Sequence, residues 1–178
     1  MTILVTGGAG YIGSHVVRLL QQQGRKVTVI DNLSSGNQAR IGDARLVQLD
    51  LAEATAKDRM VEILREDSVD AVIHFAARKQ VGESVLKPEW YFQQNIGGMA
   101  NLLEAMHEVG VNKLVFSSSA ATYGMPDVSA VTETTSCNPI NPYGQTKLIG
   151  EWMVSNAARA WGLHGVNLRY FNVAGAGW

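Results

Sequence analysis

The opening apolar run, Met1 to Thr6, passes without a break into Thr6-Gly7-Gly8-Ala9-Gly10-Tyr11-Ile12-Gly13, and no other passage constrains the fold as tightly. Two glycine patterns overlap here, Gly8-x-Gly10-x-x-Gly13 and the tighter match Gly7-x-x-Gly10-x-x-Gly13. In either, one glycine makes the turn, one lets backbone approach a pyrophosphate, and one lets helix and strand pack closely. The helix that follows offers free N–H groups and a positive dipole end to phosphates. A glycine pattern alone is weak, but here a strand precedes it, a helix follows, and an acid stands 18 positions beyond Gly13. That acid, Asp31, can accept from both ribose hydroxyls of an adenosine and repels an added 2′-phosphate, so NAD is expected over NADP.

Short apolar runs recur along the chain: Ile3 to Thr6, Val27 to Ile30, Leu46 to Leu49, Ala71 to Phe75, Leu114 to Ser117 and Val166 to Tyr170. Their length and polar borders predict strands buried on both faces. Helical periodicity fills the intervals, at Ile12 to Gln23, Ala56 to Glu66, Pro88 to Glu108 and Pro142 to Trp161. Gly24, Gly110 and Gly162 stand at or near their ends, where a C-terminal cap belongs. Strands alternating with helices imply an α/β fold, a doubly wound parallel sheet of order 3-2-1-4-5-6. The whole chain, 1–178, then reads as one Rossmann domain with its ligand crevice between strands one and four. Gly124 to Asn141 is too long for an ordinary connection and is expected to be functional.

Composition narrows the alternatives. A net charge of −1 gives no attraction to nucleic acid or anionic membrane. No stretch approaches the roughly 20 apolar residues of a membrane span. The start lacks a signal-peptide pattern, and the single cysteine, Cys137, has no intramolecular partner; both fit a reducing cytoplasm. The four histidines do not cluster at metal-ligand spacing, so no metal is expected; His15 and His74 are read as packing residues. Trp90, Trp152 and Trp161 fall on the two long helices, in the core or at a subunit contact.

Three residues carry acid–base chemistry. Tyr143 and Lys147 are one helical turn apart, so phenol and ammonium share a face. A free tyrosine, with its pKa of about 10, is a poor base at neutral pH. A nearby ammonium and a cationic nicotinamide would both favour the phenolate. Ser117-Ser118-Ser119 ends the fifth strand and supplies a hydroxyl, Ser119, to bond substrate and phenol. At the cofactor end, Asp50 closes the third strand, where a carboxylate either takes an adenine amino group or serves as an ordinary strand-end cap. Phe75-Ala76-Ala77 ends the fourth strand with small residues across which a cofactor can lie, and Lys79 just beyond either meets a phosphate or is a solvated loop lysine.

Taken together, these motifs resemble the extended short-chain dehydrogenase/reductase family, and within it the UDP-glucose 4-epimerases. The resemblance rests on the glycine loop through His15, on Asp31-Asn32-Leu33 and on His74-Phe-Ala-Ala77. It continues through Val81-Gly-Glu-Ser84, Ser117-Ser-Ser-Ala120, Tyr123-Gly124, Asn141-Pro-Tyr-Gly144 with Lys147, and Arg169-Tyr-Phe-Asn172. It implies NAD contacts at Gly7, Gly10, Tyr11, Ile12, Gly13, Asp31, Asn32, Leu33, Ser34, Ser35 and Gly36. Further implied contacts are Asp50, Leu51, Phe75, Ala76, Ala77, Arg78, Lys79, Asn95, Phe171 and the Ser119, Tyr143, Lys147 set. Ser119, Tyr143 and Asn172 are implied to touch the UDP-sugar.

The implied reaction interconverts UDP-galactose and UDP-glucose through a 4-keto sugar, with tightly held NAD. Tyr143 is the implied base, Ser119 orients the hydroxyl, and Lys147 holds the nicotinamide ribose. A homodimer through the helices starting at Pro88 and Pro142 is implied as well. Related dehydratases carry an Asp-Glu pair where this chain has Ala120 and Ala121, which argues against dehydration. The family continues well past the Arg-Tyr-Phe-Asn element into a substrate-enclosing part, whereas this chain stops at Trp178. A truncated chain is therefore expected, with an NAD-binding remnant without catalysis, or another NAD-dependent nucleotide-sugar epimerase/dehydratase, as the alternatives and an apolar tail from Val173 to Trp178 left uncovered.

Overall fold

The computed structural model describes residues 1–175. Six parallel strands form one sheet in the order β3-β2-β1-β4-β5-β6, with β1 at Thr2–Thr6, β2 at Lys26–Asp31, β3 at Arg45–Gln48, β4 at Val69–His74, β5 at Lys113–Ser119 and β6 at His164–Tyr170. The expected order is therefore found, and the chain reverses its direction of travel across the sheet between β1 and β4.

All five residues of β1 are buried, as a central strand covered on both faces requires. The outer strands depart from that expectation. β3 is only partly covered, and the first five residues of β6 are exposed, with Val166 53% accessible. Each has a single sheet neighbour among the described residues, and its side chains are covered less fully than those of a central strand.

The helices are α1 (Tyr11–Gln22), α2 (Ala56–Glu66), α3 (Val81–Leu86), α4 (Pro88–Phe92), α5 (Gly98–Val109) and α6 (Pro142–Trp161). α2 and α6 fall at the bounds read from the sequence, because Pro at the first turn and a left-handed Gly162 (φ 78°) fix the ends of α6. The run beginning at Pro88 is not one regular helix. A π-helical turn, Gln93–Gly97, separates α4 from α5, and α5 ends at Gly110 with φ 82°. α3 was missed, since six residues are too few to show a helical period.

Helices α2, α5 and α6 share the larger core with Leu4, Ile30, Val72, Leu114 and Phe116 of the sheet. Val17 of α1 packs in a second core with Ile3, Val5, Val27 and Val29. No described helix is long and apolar enough to cross a membrane. Residues 124–141 contain neither helix nor strand, as expected. Of the predicted apolar tail, Val173 is 47% exposed, and Ala176 to Trp178 lie outside the described residues.

Candidate active site

A crevice of about 780 Å³ opens over the C-terminal ends of the strands where the order reverses. The glycine loop builds its floor. Gly7 has φ +70°, and a Cβ there would lie 2.6 Å from the Ala76 amide nitrogen. At Gly13 a Cβ would lie 2.2 Å from the Gly7 carbonyl oxygen, so α1 can sit this close to β1 only with glycine there. Gly7 and Gly13 thus require glycine most strictly, and a Cβ on Gly8 would press against Val29 at 2.8 Å. α1 starts at Gly10 with no side-chain cap, and Tyr11, Ile12 and Gly13 at its N-terminus line the crevice.

Asp31, at the end of β2, is buried and accepts from the Ala9 amide (3.0 Å) and the Leu33 amide (2.8 Å). It therefore ties the glycine loop to β2, and a carboxylate retains acceptor capacity beyond those two bonds. Asn32, Ser34, Ser35, Asp50, Leu51, Phe75, Ala76, Ala77, Arg78, Lys79, Asn95, Phe171 and Asn172 also line the crevice. Leu33 and Gly36, expected as contacts, are not on its wall. Leu33 adopts φ +57° and packs into the second core, and Gly36 abuts Ala9 and the Asp31 carboxylate.

Asp50 is already engaged, accepting from Asn32 Nδ2 (2.9 Å) and the Ala52 amide (3.0 Å). Asn95 is engaged more fully. Its amide accepts from the Arg78 N–H (2.8 Å), donates to the Arg78 carbonyl (3.0 Å) and donates to Thr146 Oγ1 (3.0 Å). It braces the irregular stretch following β4 against α6, a role that no sequence pattern signalled.

The opposite end of the crevice is built by β5 and α6. Asn141 caps α6, its side chain accepting from the Gly144 amide at 2.8 Å. A Cβ on Gly144 would lie 2.6 Å from the Ala121 carbonyl, and one on Gly150 would lie 2.5 Å from the Phe116 ring. These two glycines let α6 press onto β5 and onto the 3-10 turn Ala120–Thr122, which delivers Tyr143 to Ser119.

Strand alternation then divides the three serines. Ser119 bonds Tyr143 and accepts from the Ala121 amide (3.1 Å). The Ser117 carbonyl accepts from Lys147 Nζ (2.7 Å). Ser118 turns away and donates to Glu151 at 2.5 Å. Glu151 is buried and forms a two-pronged pair with Arg169, at 2.9 and 2.7 Å. The Arg169 guanidinium in turn lies 4.8 Å from the centre of the Tyr123 ring. Sequence reading passed over Glu151, although it stands one turn past Lys147 on the face that carries Tyr143.

The electrostatics differ from expectation at Tyr143. Burial pushes its phenol above the ordinary value, and the Ser119 hydrogen bond only partly opposes this. Lys147 Nζ lies 5.9 Å from the ring centre and is spent on the Ser117 carbonyl, so it does not pull the phenol down as the spacing suggested. Burial also lowers Lys147 itself to about 8. His74 lies below the site, bonded to Thr6 Oγ1 (2.7 Å) and stacked 5.7 Å from Phe116, and burial holds it neutral with a pKa of about 3.

Comparison with known proteins agrees with this architecture. Residues 3–177 match the model of the NAD dependent epimerase/dehydratase family. The chain is 49% identical over 177 residues to a UDP-glucose 4-epimerase of Corynebacterium glutamicum, covering 99% of this chain and 52% of that protein. It is 51% identical over 179 residues to one of Streptococcus mutans, with 99% and 53% covered. A UDP-glucose 4-epimerase of Brucella ovis, solved in complex with NAD, superposes with a TM-score of 0.95 at 46% identity, covering 99% of this chain and 53% of that one. One of Thermotoga maritima, solved with UDP-glucose, gives 0.93 at 39% identity, with 98% and 57% covered. The chain spans about half the length of the curated relatives it matches. With its strand order, glycine loop and Ser119-Tyr143-Lys147 cluster in place, the chain belongs to the NAD dependent epimerase/dehydratase family.

Proposed function

We propose that this chain binds NAD and carries the acid–base centre of a 4-epimerase acting on UDP-galactose and UDP-glucose. The observation that carries the reading is a single crevice with two ends. The uncapped α1 N-terminus and Asp31 lie at one end, and Ser119, Tyr143 and Lys147 at the other. The residues present fit a dinucleotide. The helix N-terminus and Lys79 suit the pyrophosphate, and the spare acceptor capacity of Asp31 suits the ribose hydroxyls. The volume lies within the ~300–1,000 Å³ of small-molecule sites.

Bound NAD supplies an acceptor for the C4 hydride that can return it to the other face of the sugar. The chain's own residues handle the proton. Tyr143 takes it from the 4-hydroxyl oxygen as C4 is oxidised and gives it back as C4 is reduced, so none is consumed over a cycle. Ser119 holds Tyr143 and orients the sugar hydroxyl. Lys147, fixed by the Ser117 carbonyl, is placed to hold the nicotinamide ribose. Because burial raises the Tyr143 pKa, the phenol needs a further positive charge nearby before it acts as a base, and an oxidised nicotinamide provides one. Asn172 reaches the UDP-sugar from the crevice wall. Ala120 and Ala121 leave no acid at the position a dehydratase needs.

A homodimer through α4–α5 and α6 is part of the proposal, supported by Trp152, which is 57% exposed on α6. Incubating the purified chain with NAD and UDP-galactose, then assaying UDP-glucose, tests the activity. Tyr143→Phe lowers the rate by about 10²–10⁴-fold. A parent chain that binds NAD and forms no UDP-glucose overturns the epimerase reading and leaves the NAD-binding one.

A further inference from the structure

Arg78 follows β4, in a stretch with no secondary structure, yet it is held along its whole length. Asn95 grips its backbone on both sides, through the N–H and the carbonyl. Gln94 Oε1 accepts from its Nε at 3.2 Å, and the guanidinium lies 4.7 Å from the centre of the Trp90 ring. Two of these three partners belong to the π-helical turn, whose widened geometry presents neighbouring side chains to one residue. The far end of the guanidinium donates to Ser34 Oγ at 2.9 Å and lies 4.0 Å from Asp50. Ser34 belongs to the loop after β2, and β1 lies between β2 and β4. The side chain therefore spans the width of β1 at the C-terminal edge of the sheet, across the mouth of the crevice.

We infer that Arg78 is a retaining bar for the bound dinucleotide, anchored by Trp90, Gln94 and Asn95 and latched on Ser34. The inference rests on the NAD reading above. A dinucleotide crossing the ends of β1 lies behind this bar, and its departure requires the Arg78–Ser34 bond to open. The planar fork is what permits the arrangement, since it rests on an aromatic face while bonding in two directions. A lysine carries the charge but cannot do both.

The measurement is the release rate of NADH from the purified chain, followed by its fluorescence after a chase with excess NAD. Arg78→Met leaves the backbone bonds to Asn95 untouched, and circular dichroism with a thermal melt checks its fold. Release is expected about tenfold faster, the factor one charge-assisted hydrogen bond supplies. Ser34→Ala, which removes the latch hydroxyl and leaves the Arg78 charge in place, is expected to speed release in the same direction. Arg78→Lys is expected to release as fast as Arg78→Met. Release from Arg78→Met at less than about three times the parent's rate overturns the bar. Parental release from Arg78→Lys also overturns it, because attraction by charge then suffices. A parent chain that binds no NADH overturns the NAD reading itself, and the bar falls with it.

Discussion

Lys147 shows how a functional side chain works against the fold that holds it. It is 3% exposed, and its ammonium donates to the Ser117 carbonyl. Burial lowers its pKa to about 8, so the unfolded chain holds this proton more tightly than the folded one. The contribution of Lys147 to stability therefore rises with pH between about 8 and the ordinary lysine value, and is least favourable below that range. Lys147→Met is expected to stabilise the protein at pH 7 by about 1–3 kcal/mol while removing activity. Thermal melts at pH 7 and pH 10 check this: the gain shrinks at the higher pH, and a lower melting temperature for the variant at pH 7 sinks it. Asp31 is the opposite case: it ties the glycine loop to β2 and, on the proposed reading, holds the ligand as well. Asp31→Ala removes the acceptors of the Ala9 and Leu33 amides and is expected to weaken NAD binding by about 1–3 kcal/mol. It also narrows the preference for NAD over NADP in a binding titration, and unchanged affinity and selectivity would remove its role.

Between elements, the site depends on how closely α6 lies against the sheet. Gly144 and Gly150 provide the clearance, while Lys147, Glu151 and Arg169 lock α6 to β5 and β6. Glu151 is buried, so breaking its pair leaves Arg169 and Ser118 facing an uncharged partner. Glu151→Gln is expected to destabilise the protein by about 3 kcal/mol. Replacing the pair by Glu151→Leu with Arg169→Met recovers much of that loss, because packed apolar groups no longer require desolvated charge. Urea melts decide it: a double variant no more stable than the single one contradicts the assignment. Much of this level was legible in the sequence. α6 falls at its expected bounds because Asn141, Pro142 and Gly162 are local signals, and α2 because Met60, Ile63 and Leu64 mark its apolar face. The π-helical turn was not legible, since Gln93–Gly97 continues the helical pattern and its widened turn is tied to the side-chain bonds of Gln94 and Asn95 with Arg78.

At the scale of the whole molecule, acid acts through two buried groups far apart in the fold, His74 at the end of β4 and Asp67 at the C-terminal cap of α2. His74 is held neutral by burial with a pKa of about 3, whereas the unfolded chain takes up its proton near the ordinary value. Its contribution is complete above about pH 6.5 and falls by up to about 1.4 kcal/mol per pH unit below that. Burial would raise Asp67, but bonds from Thr28 and Arg45 and the charge of Lys26 outweigh it and lower its pKa. Its contribution is present above the unfolded carboxylate value of about 4 and is lost as pH falls through the folded one. The urea midpoint is expected to hold near pH 7 and drop between pH 6 and 4, with His74→Asn flattening the first part of the drop. An equal midpoint at pH 7 and pH 5 in the parent would rule out the His74 term.

By itself the sequence determined the strand order, the glycine loop and the Ser119-Tyr143-Lys147 set, because each is written in local periodicity, glycine spacing or a one-turn separation. Only the tertiary structure decided that Leu33 and Gly36 leave the crevice wall, that Asn95 braces Arg78, and that burial, not Lys147, governs the Tyr143 phenol. Those outcomes depend on distances between residues far apart in the chain and on how much water the fold excludes, and neither quantity is carried by a local pattern.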